Sequence, residues 1–581
     1  MYKDTKLSKG TAHRENSATA LRRAKRRKQL TSKRLKVTKA TNGEDGGQHF
    51  HGTGKITNEA VQAAVTQVLG SLRSSGSAVM LSGALRQLRK MLSEVHAHDP
   101  PISAVVSGGG VPLLIQYLTS SSEEQRLEAT WCLSNIASGS HDEAQSVLPA
   151  VPYLSGFLTG NELALREQSL WALGNLAGDG PEFRAVLHAN GVLGPAAHVY
   201  NTSSSVTTCT TAAWALSNLA KGRETPALPF LNCNILEKVL FSIATPHAVP
   251  SEELDGGAAT KELLVESCWL LAHLTAKEME AVHEILRKTN GNVVTLLCSK
   301  IVATDEEIAW PVLRCLGNIF SADGIPTECL DAALASPQLL SALRFFLACE
   351  SPSPADNSES PYVVGPKAPL LGRPSCHRSL TKEAMWLVGN IMTGTPQQQK
   401  VADDQGLVRA VVDLFPQAPF DLRKEAAVAL FNTIAHGRSA RTLMVFASPG
   451  MYETLVRMLE VPDQESVAVA LRCIEIGCSV GLKMGFEEHG GMDALESIIY
   501  RGHSDELRAT SSRLWDTYFE GEEEEELPQM HHGGGGMFGS MNMAAPPNQN
   551  PAQSELPGAG RGRGRGMVLP AWASGFTSES F

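Results

Sequence analysis

Residues Glu167–Gly180 read EQSLWALGNLAGDG, and the same phrase returns along the chain. Trp131 and Asn135 lie in EATWCLSNIASG (128–139), Trp214 and Asn218 in AAWALSNLAKG (212–222), and Trp386 and Asn390 in EAMWLVGNIMTG (383–394). In each copy Trp precedes Asn by four residues. That spacing puts indole and carboxamide on one face of a helix, while the flanking Ala, Leu and Ile fill the opposite face. The stretch therefore predicts one rung of a ladder, with a strip of indoles and carboxamides facing outward once per rung.

The rungs are evenly spaced. Asn135 to Asn175 is 40 residues, Asn175 to Asn218 is 43 and Asn390 to Asn432 is 42. A period of roughly 40–47 residues with helical patterning alone is the signature of armadillo or HEAT arrays. One such unit cannot bury its apolar face, so neighbours stack into a superhelix with a concave groove. A solenoid also explains how 581 residues fold without one large core.

Composition fits a folded chain, with 43% apolar and 19% charged residues. The 11 cysteines are scattered singly, with no CxxC pair and only Cys473 and Cys478 close together. They read as reduced, buried thiols of a reducing compartment. No apolar run reaches membrane-spanning length and the basic N-terminus lacks an apolar core, so the chain reads as soluble and intracellular.

Charge is unevenly placed. Residues 1–40 hold 14 Lys plus Arg against Asp4 and Glu15, a net of +12. The whole chain carries −10, which leaves −22 for the rest. A basic arm tethered to an acidic body is the pattern of an interaction tail, and it allows the arm to bind its own body. Taken alone, the arm's LRRAKRRKQLTSKRLKVTKA (21–40) is also compatible with a disordered tail, a nucleic-acid contact or a localisation signal.

Punctuation supports the helical reading. In LRQLRKMLSEVHAHDPPISAVVSGGGVPLLIQYL (85–118), Pro100-Pro101 ends one helix and Gly108–Gly110 with Pro112 opens another. Gly191, Gly406 and Gly490-Gly491 mark equivalent joints. Gly52-Thr53-Gly54-Lys55 is not a phosphate loop, because His49 stands where that loop needs Gly and Ile56 where it needs Ser or Thr.

These phrases, together with FDLRKEAAVALFN (420–432) and RLWDTYFEGEEEEE (513–526), resemble the importin α (karyopherin α) family, most of all its divergent plant ninth class. The likeness covers roughly residues 76–526 and extends to the breaks in the ladder: His273 replaces Asn in CWLLAH (268–273), and Arg314 replaces Trp in LRCLGN (313–318). The resemblance implies an all-α, right-handed superhelical solenoid of about ten armadillo repeats with disordered tails. Its parts are a basic arm (1–45), a linker and first helix (46–75), the solenoid (76–520) and an acidic, then Gly/Arg-rich tail (521–581).

The implied function is a nuclear-import adaptor that binds basic nuclear localisation signals and links cargo to importin β. The major site falls on Trp131, Asn135, Gly139, Gln168, Trp171, Asn175, Asp179, Trp214, Asn218 and Glu266. The minor site falls on Arg314, Asn318, Glu383, Trp386, Asn390, Glu425 and Asn432. The importin-β-binding segment falls on Arg22, Arg23, Lys25, Arg26, Arg27, Lys28, Lys33 and Arg34. The acidic end near Glu522–Glu526 is where the family contacts the export receptor that recycles it. The resemblance further implies shuttling between cytoplasm and nucleus, with no cofactor, metal, membrane or direct nucleic-acid partner.

Physically, the carboxamides of Asn135, Asn175 and Asn218 can hydrogen-bond a peptide backbone in both senses. Slots between neighbouring indoles fit the methylene stem of Lys or Arg, at ~0.5–2 kcal/mol per indole face. Carboxylates select the charge, Asp179 first and then Glu128, Glu266 and Glu383 three residues before the rung aromatics. Two departures stand out: Ala144 replaces the family's Thr near the key lysine, and Val428 replaces Trp in the minor site. They predict a working major site and an impaired minor one.

The arm of the family also occupies the cargo groove, and a tethered ligand reaches an effective concentration of about millimolar. Residues 350–375 hold six prolines and read as a surface loop. RGRGRG (561–566) reads as disorder, with RNA binding a thinner alternative. No catalytic constellation is present. The alternative function is an armadillo scaffold for other partners, which a groove lined by Lys and Arg would favour.

Overall fold

Short polar residues placed at one phase of the repeat start its longest helices. Ser122 accepts from the backbone N–H of Gln125, Ser205 from Thr208, Asp463 from Ser466 and Ser504 from Leu507. Each thereby satisfies a donor that a helix N-terminus otherwise leaves open. Glycines turn the chain between the shorter helices: Gly109 and Gly406 both sit at φ +71°, a conformation nearly closed to other residues.

A computed structural model describes residues 58–74, 76–93, 100–245, 256–347, 375–435, 439–500 and 504–519. The regular elements among these are helices, and the chain is an armadillo-repeat solenoid. Its spine is a succession of ladder helices: Ala78–Ser93, Glu123–Ile136, Leu163–Ala177, Val206–Leu219, Gly256–Thr275, Glu306–Ser321, Ser375–Ile391, Phe420–Ala435, Gln464–Ser479 and Asp505–Tyr518. Each packs on the one before it, and shorter helices such as Ile102–Ser107 and Gly110–Tyr117 cover the other side.

Sandwiched helices of this kind are apolar nearly all round. Every residue from Thr208 to Leu219 is buried, and Thr210 and Thr211 satisfy their hydroxyls on the carbonyls of Val206 and Thr207. Nine cysteines, Cys132 and Cys268 among them, are free, and all of these but Cys233 are buried. Burial pushes the thiols of Cys268 and Cys473 up to about 12. This agrees with inert, reduced packing residues.

The basic arm with Arg22, Arg23, Lys25, Arg26, Arg27, Lys28, Lys33 and Arg34 lies outside the described residues. So do the acidic run, the RGRGRG tail and the proline-rich stretch, apart from Ser375, which opens a helix. No described helix is long and apolar enough to cross a membrane.

Candidate peptide-binding groove

The ladder asparagines stitch the repeats together. Asn175 donates Nδ2 to the carbonyl of Ser134 at 3.0 Å, and Asn218 to that of Gly174 at 2.8 Å. Asn318 donates to Ala272 at 2.9 Å, Asn390 to Gly317 at 3.0 Å and Asn432 to Gly389 at 3.0 Å. Each acceptor is the residue just before the ladder position of the preceding helix. Asn135 makes the equivalent bond to Ser93 Oγ at 3.0 Å. One N–H of each carboxamide is thus spent inside the protein, which the sequence reading did not anticipate. Asn318 gives Nδ2 to Thr275 Oγ1 as well, at 3.2 Å, so what a peptide chiefly meets on the strip is carboxamide oxygens.

Those oxygens differ between rungs. Asn135 Oδ1 and Asn318 Oδ1 are buried with no partner among the described residues. Asn218 Oδ1 instead accepts from the buried Lys221 Nζ at 2.7 Å. Lys221 follows Asn218 by three and was not singled out in the sequence, because nothing in its spacing separates a groove lysine from a surface one.

The tryptophans interlock through glycine. Gly174 lies beneath Trp214 and Gly317 beneath Trp386, each one residue before its rung asparagine. Trp171 and Trp214 then touch, with centroids 5.1 Å apart and planes at 49°. These two rings form one continuous apolar wall, not the slot expected between them, because a side chain cannot pass between rings already in contact. At the interrupted rung, His273 stacks on Trp269, which meets Trp310 edge to face at 5.9 Å.

Two buried ion pairs stand at the same phase in both halves of the ladder. Arg89 takes the tryptophan position of the first ladder helix. Its Nε donates to Glu128 Oε2 at 2.6 Å and its guanidinium lies 4.5 Å from the Trp131 ring centroid. Burial pushes the Glu128 carboxyl up despite this partner. Arg314 repeats the arrangement with Glu383, with Nε at 2.9 Å from Oε2 and a second bond from Nη2 to Oε1. Both side chains are at most 5% exposed. Glu383 and Arg314 therefore hold each other. Glu425 lies buried with Lys382 Nζ 3.8 Å away, and Gln168 and Glu266 are half-buried on their helices.

Asp179 closes the turn after the Trp171 helix. Its side chain is 5% exposed and its Oδ2 meets His141 Nδ1 at 2.7 Å. His141 sits two residues beyond Gly139, and a side chain at Gly139 would collide with the Glu143 carboxylate that caps Ser140 N. Ala144, in place of the family's Thr, is wholly buried. In the minor site Val428 is half-buried where the other rungs carry an indole. No grouping of His, Cys, Asp and Glu suited to a metal ion occurs among the described residues.

The strip thus runs from the Trp131 helix to the Phe420–Ala435 helix, and it matches known sequences over most of its length. An armadillo/β-catenin-like repeat model matches residues 98–138, and a HEAT-like repeat model matches residues 123–176. The chain is 29% identical over 452 residues to importin subunit alpha-9 of Arabidopsis thaliana, covering 75% of this chain and 79% of the relative. It is 31% identical over 476 residues to importin subunit alpha-2 of Oryza sativa subsp. japonica, covering 78% and 82%. An engineered protein solved by crystallography shares the fold, with a TM-score of 0.59 at 22% identity over 78% of this chain and 98% of that one.

Proposed function

Because the chain belongs to the importin α family, we propose that it is a nuclear-import adaptor that binds basic nuclear localisation signals of cargo along the Trp/Asn strip. The observation that carries this reading is the rung itself: carboxamide and indole repeated in register, with Asp179 beside them. A buried carboxamide oxygen without a partner costs ~1–3 kcal/mol, and a peptide N–H offered to Asn135 or Asn318 relieves that cost. The backbone contacts hold the ligand extended and ignore its sequence. The wall of Trp171 and Trp214 takes aliphatic stems, Asp179 and Glu266 sort the charge, and the neutral Gln168 adds a polar contact. Asp179 is the residue on which lysine preference rests.

In the same reading the basic arm links cargo to importin β and competes for the groove when importin β is absent. An export receptor returns the protein, which shuttles between cytoplasm and nucleus. It is an adaptor and not an enzyme. One observation favours the scaffold alternative: Lys221 lies against Asn218 on the strip, and a cation there suits acidic or mixed partners.

The deciding experiment is titration of a fluorescent basic peptide into the full chain and into a form beginning near Gly54. Tighter binding by the shorter form supports a cargo groove with the arm as internal competitor. Equal binding keeps the adaptor and removes the competition. Binding by neither overturns the groove, and the scaffold reading then leads.

A further inference from the structure

His141 lies against the acid on which charge selection rests. Its Nδ1 is 2.7 Å from Asp179 Oδ2 and its Nε2 is 3.7 Å from Glu182 Oε1. Its ring meets Phe183 edge to face, with centroids 5.1 Å apart. The imidazole therefore sits between two carboxylates, the surroundings a cationic ligand would choose. The two partners differ in freedom. Asp179 is fixed in a tight turn and 5% exposed, while the His141 side chain is 55% exposed and starts a five-residue helix, so it can swing outward.

We propose that His141 is a displaceable internal occupant of the Asp179 pocket, which an incoming lysine must evict, and that it sets the affinity of this site for basic ligands. The proposal rests on the groove reading above. Its logic is simple competition. Every basic ligand that pairs with Asp179 forfeits the imidazole's bond to it, so the site rejects weakly basic ligands that a bare carboxylate would accept. Removing the imidazole should therefore free both carboxylates for a ligand cation, and a stronger internal cation in its place should close them. The other titratable groups around it are Asp142 and Glu143 on its own helix, the latter engaged with Ser140 N. Arg184, on the helix that carries Glu182, pairs instead with Glu224, and the packed helix Ile102–Ser107 brings no titratable side chain.

The test uses the full chain and a fluorescent monopartite basic peptide. His141→Ala should bind roughly three- to tenfold tighter than the native protein. His141→Lys should bind more weakly than native, since its ammonium competes with the ligand for the same carboxylates. Weaker binding by His141→Ala would make His141 a ligand contact and overturn the proposal, as would unchanged affinity. If the native protein binds and Asp179→Lys abolishes binding while His141→Ala changes nothing, the groove stands and this inference alone fails. If no form binds the peptide, the groove reading fails and takes the inference with it. A readout without peptide is the His141 imidazole signal by NMR of selectively labelled protein. It should shift in Asp179→Asn, and a signal indifferent to that change would also overturn the pairing.

Discussion

Replacing Gly174 by Ala tests how the indole strip is built. A Cβ at Gly174 would lie 2.3 Å from Cζ3 of Trp214, whereas ordinary contact begins at 3.4 Å. The ring would have to retreat by more than about 1 Å. It has little room, because it is 7% exposed and already touches Trp171. Overpacking of this sort costs about 1–3 kcal/mol, and the gain from Ala over Gly in a helix returns about 1 kcal/mol. The expected net loss is therefore up to about 2 kcal/mol. Gly83 supplies the control: it is exposed in the middle of the Ala78–Ser93 helix, and nothing lies within 4 Å of its would-be Cβ. Gly83→Ala should therefore stabilise by about 0.5–1 kcal/mol. Chemical denaturation of both variants gives opposite signs if the stacking is real. Moving Trp214 should also weaken a basic peptide by about fivefold, which is roughly 1 kcal/mol, while Gly83→Ala leaves binding unchanged. Equal stability of the two variants, with equal peptide affinity, would refute the idea that glycine sets the indole in place.

Three further outcomes follow from the same strip and its supports. Val428→Trp should raise the affinity of a bipartite peptide by about threefold or more, because it supplies the indole that the other rungs carry at this position; calorimetry against the native protein checks it. Trp171→Ala and Asp179→Lys should each weaken a basic peptide by about tenfold or more, and unchanged affinity in both would sink the groove. Near the C-terminal end, burial alone would raise the Asp463 carboxyl, but bonds from Lys424 and Ser466 outweigh it and hold it below its ordinary value. Burial would lower Lys424, yet its bonds to Glu465 and Asp463 raise it. The Asp463 contribution is therefore present above its unfolded pKa and lost as pH falls through the folded one. The Lys424 contribution is lost only as pH rises through its own folded value. Thermal melts should show native protein losing its advantage over Asp463→Asn as pH drops below about 4.

The fold was legible because its signal is periodic. Four Trp/Asn pairs at one phase, and glycines before apolar runs, give both the helix type and the repeat, and repetition averages out local ambiguity. The ladder residues were legible for the same reason. What escaped were contacts made across the repeat. Gly174 and Gly317 stand unremarked in the rung phrases, and only the fold shows that the next indole needs the space at each. Arg89 looked like one basic residue among several in LRQLRK, and only the fold brings it over Trp131 and onto Glu128. His141 precedes Asp179 by 38 residues, a separation that carries meaning only once the repeat places the two loops together. The asparagines were half legible: spacing put them on the strip, but the bond from each to the preceding helix depends on the rise between repeats.

The two buried ion pairs bear on why the ladder is interrupted. Arg314 stands where an indole should be, and it neutralises Glu383, the acid of the next rung; Arg89 does the same to Glu128. In the proposed groove, a ligand cation arriving at either rung would meet an acid whose charge is already balanced, so attraction would concentrate on the stretch between, around Asp179 and Glu266. On that proposal Arg314 is a divider as well as a substitute for Trp. Removing it alone, in Arg314→Leu, takes the guanidinium away from Glu383, which is buried at 2% side-chain exposure, and should cost about 3–5 kcal/mol. The double change Arg314→Leu with Glu383→Leu removes both charges, and replacing a buried pair by apolar side chains is often neutral or better. It should therefore recover most of the loss while the division between the two sites persists, because no acid returns to that rung. Denaturant unfolding of the single and double variants separates the cases. A double variant as unstable as the single one would mean that the pair's geometry, and not its charge balance, holds the two ladder helices together.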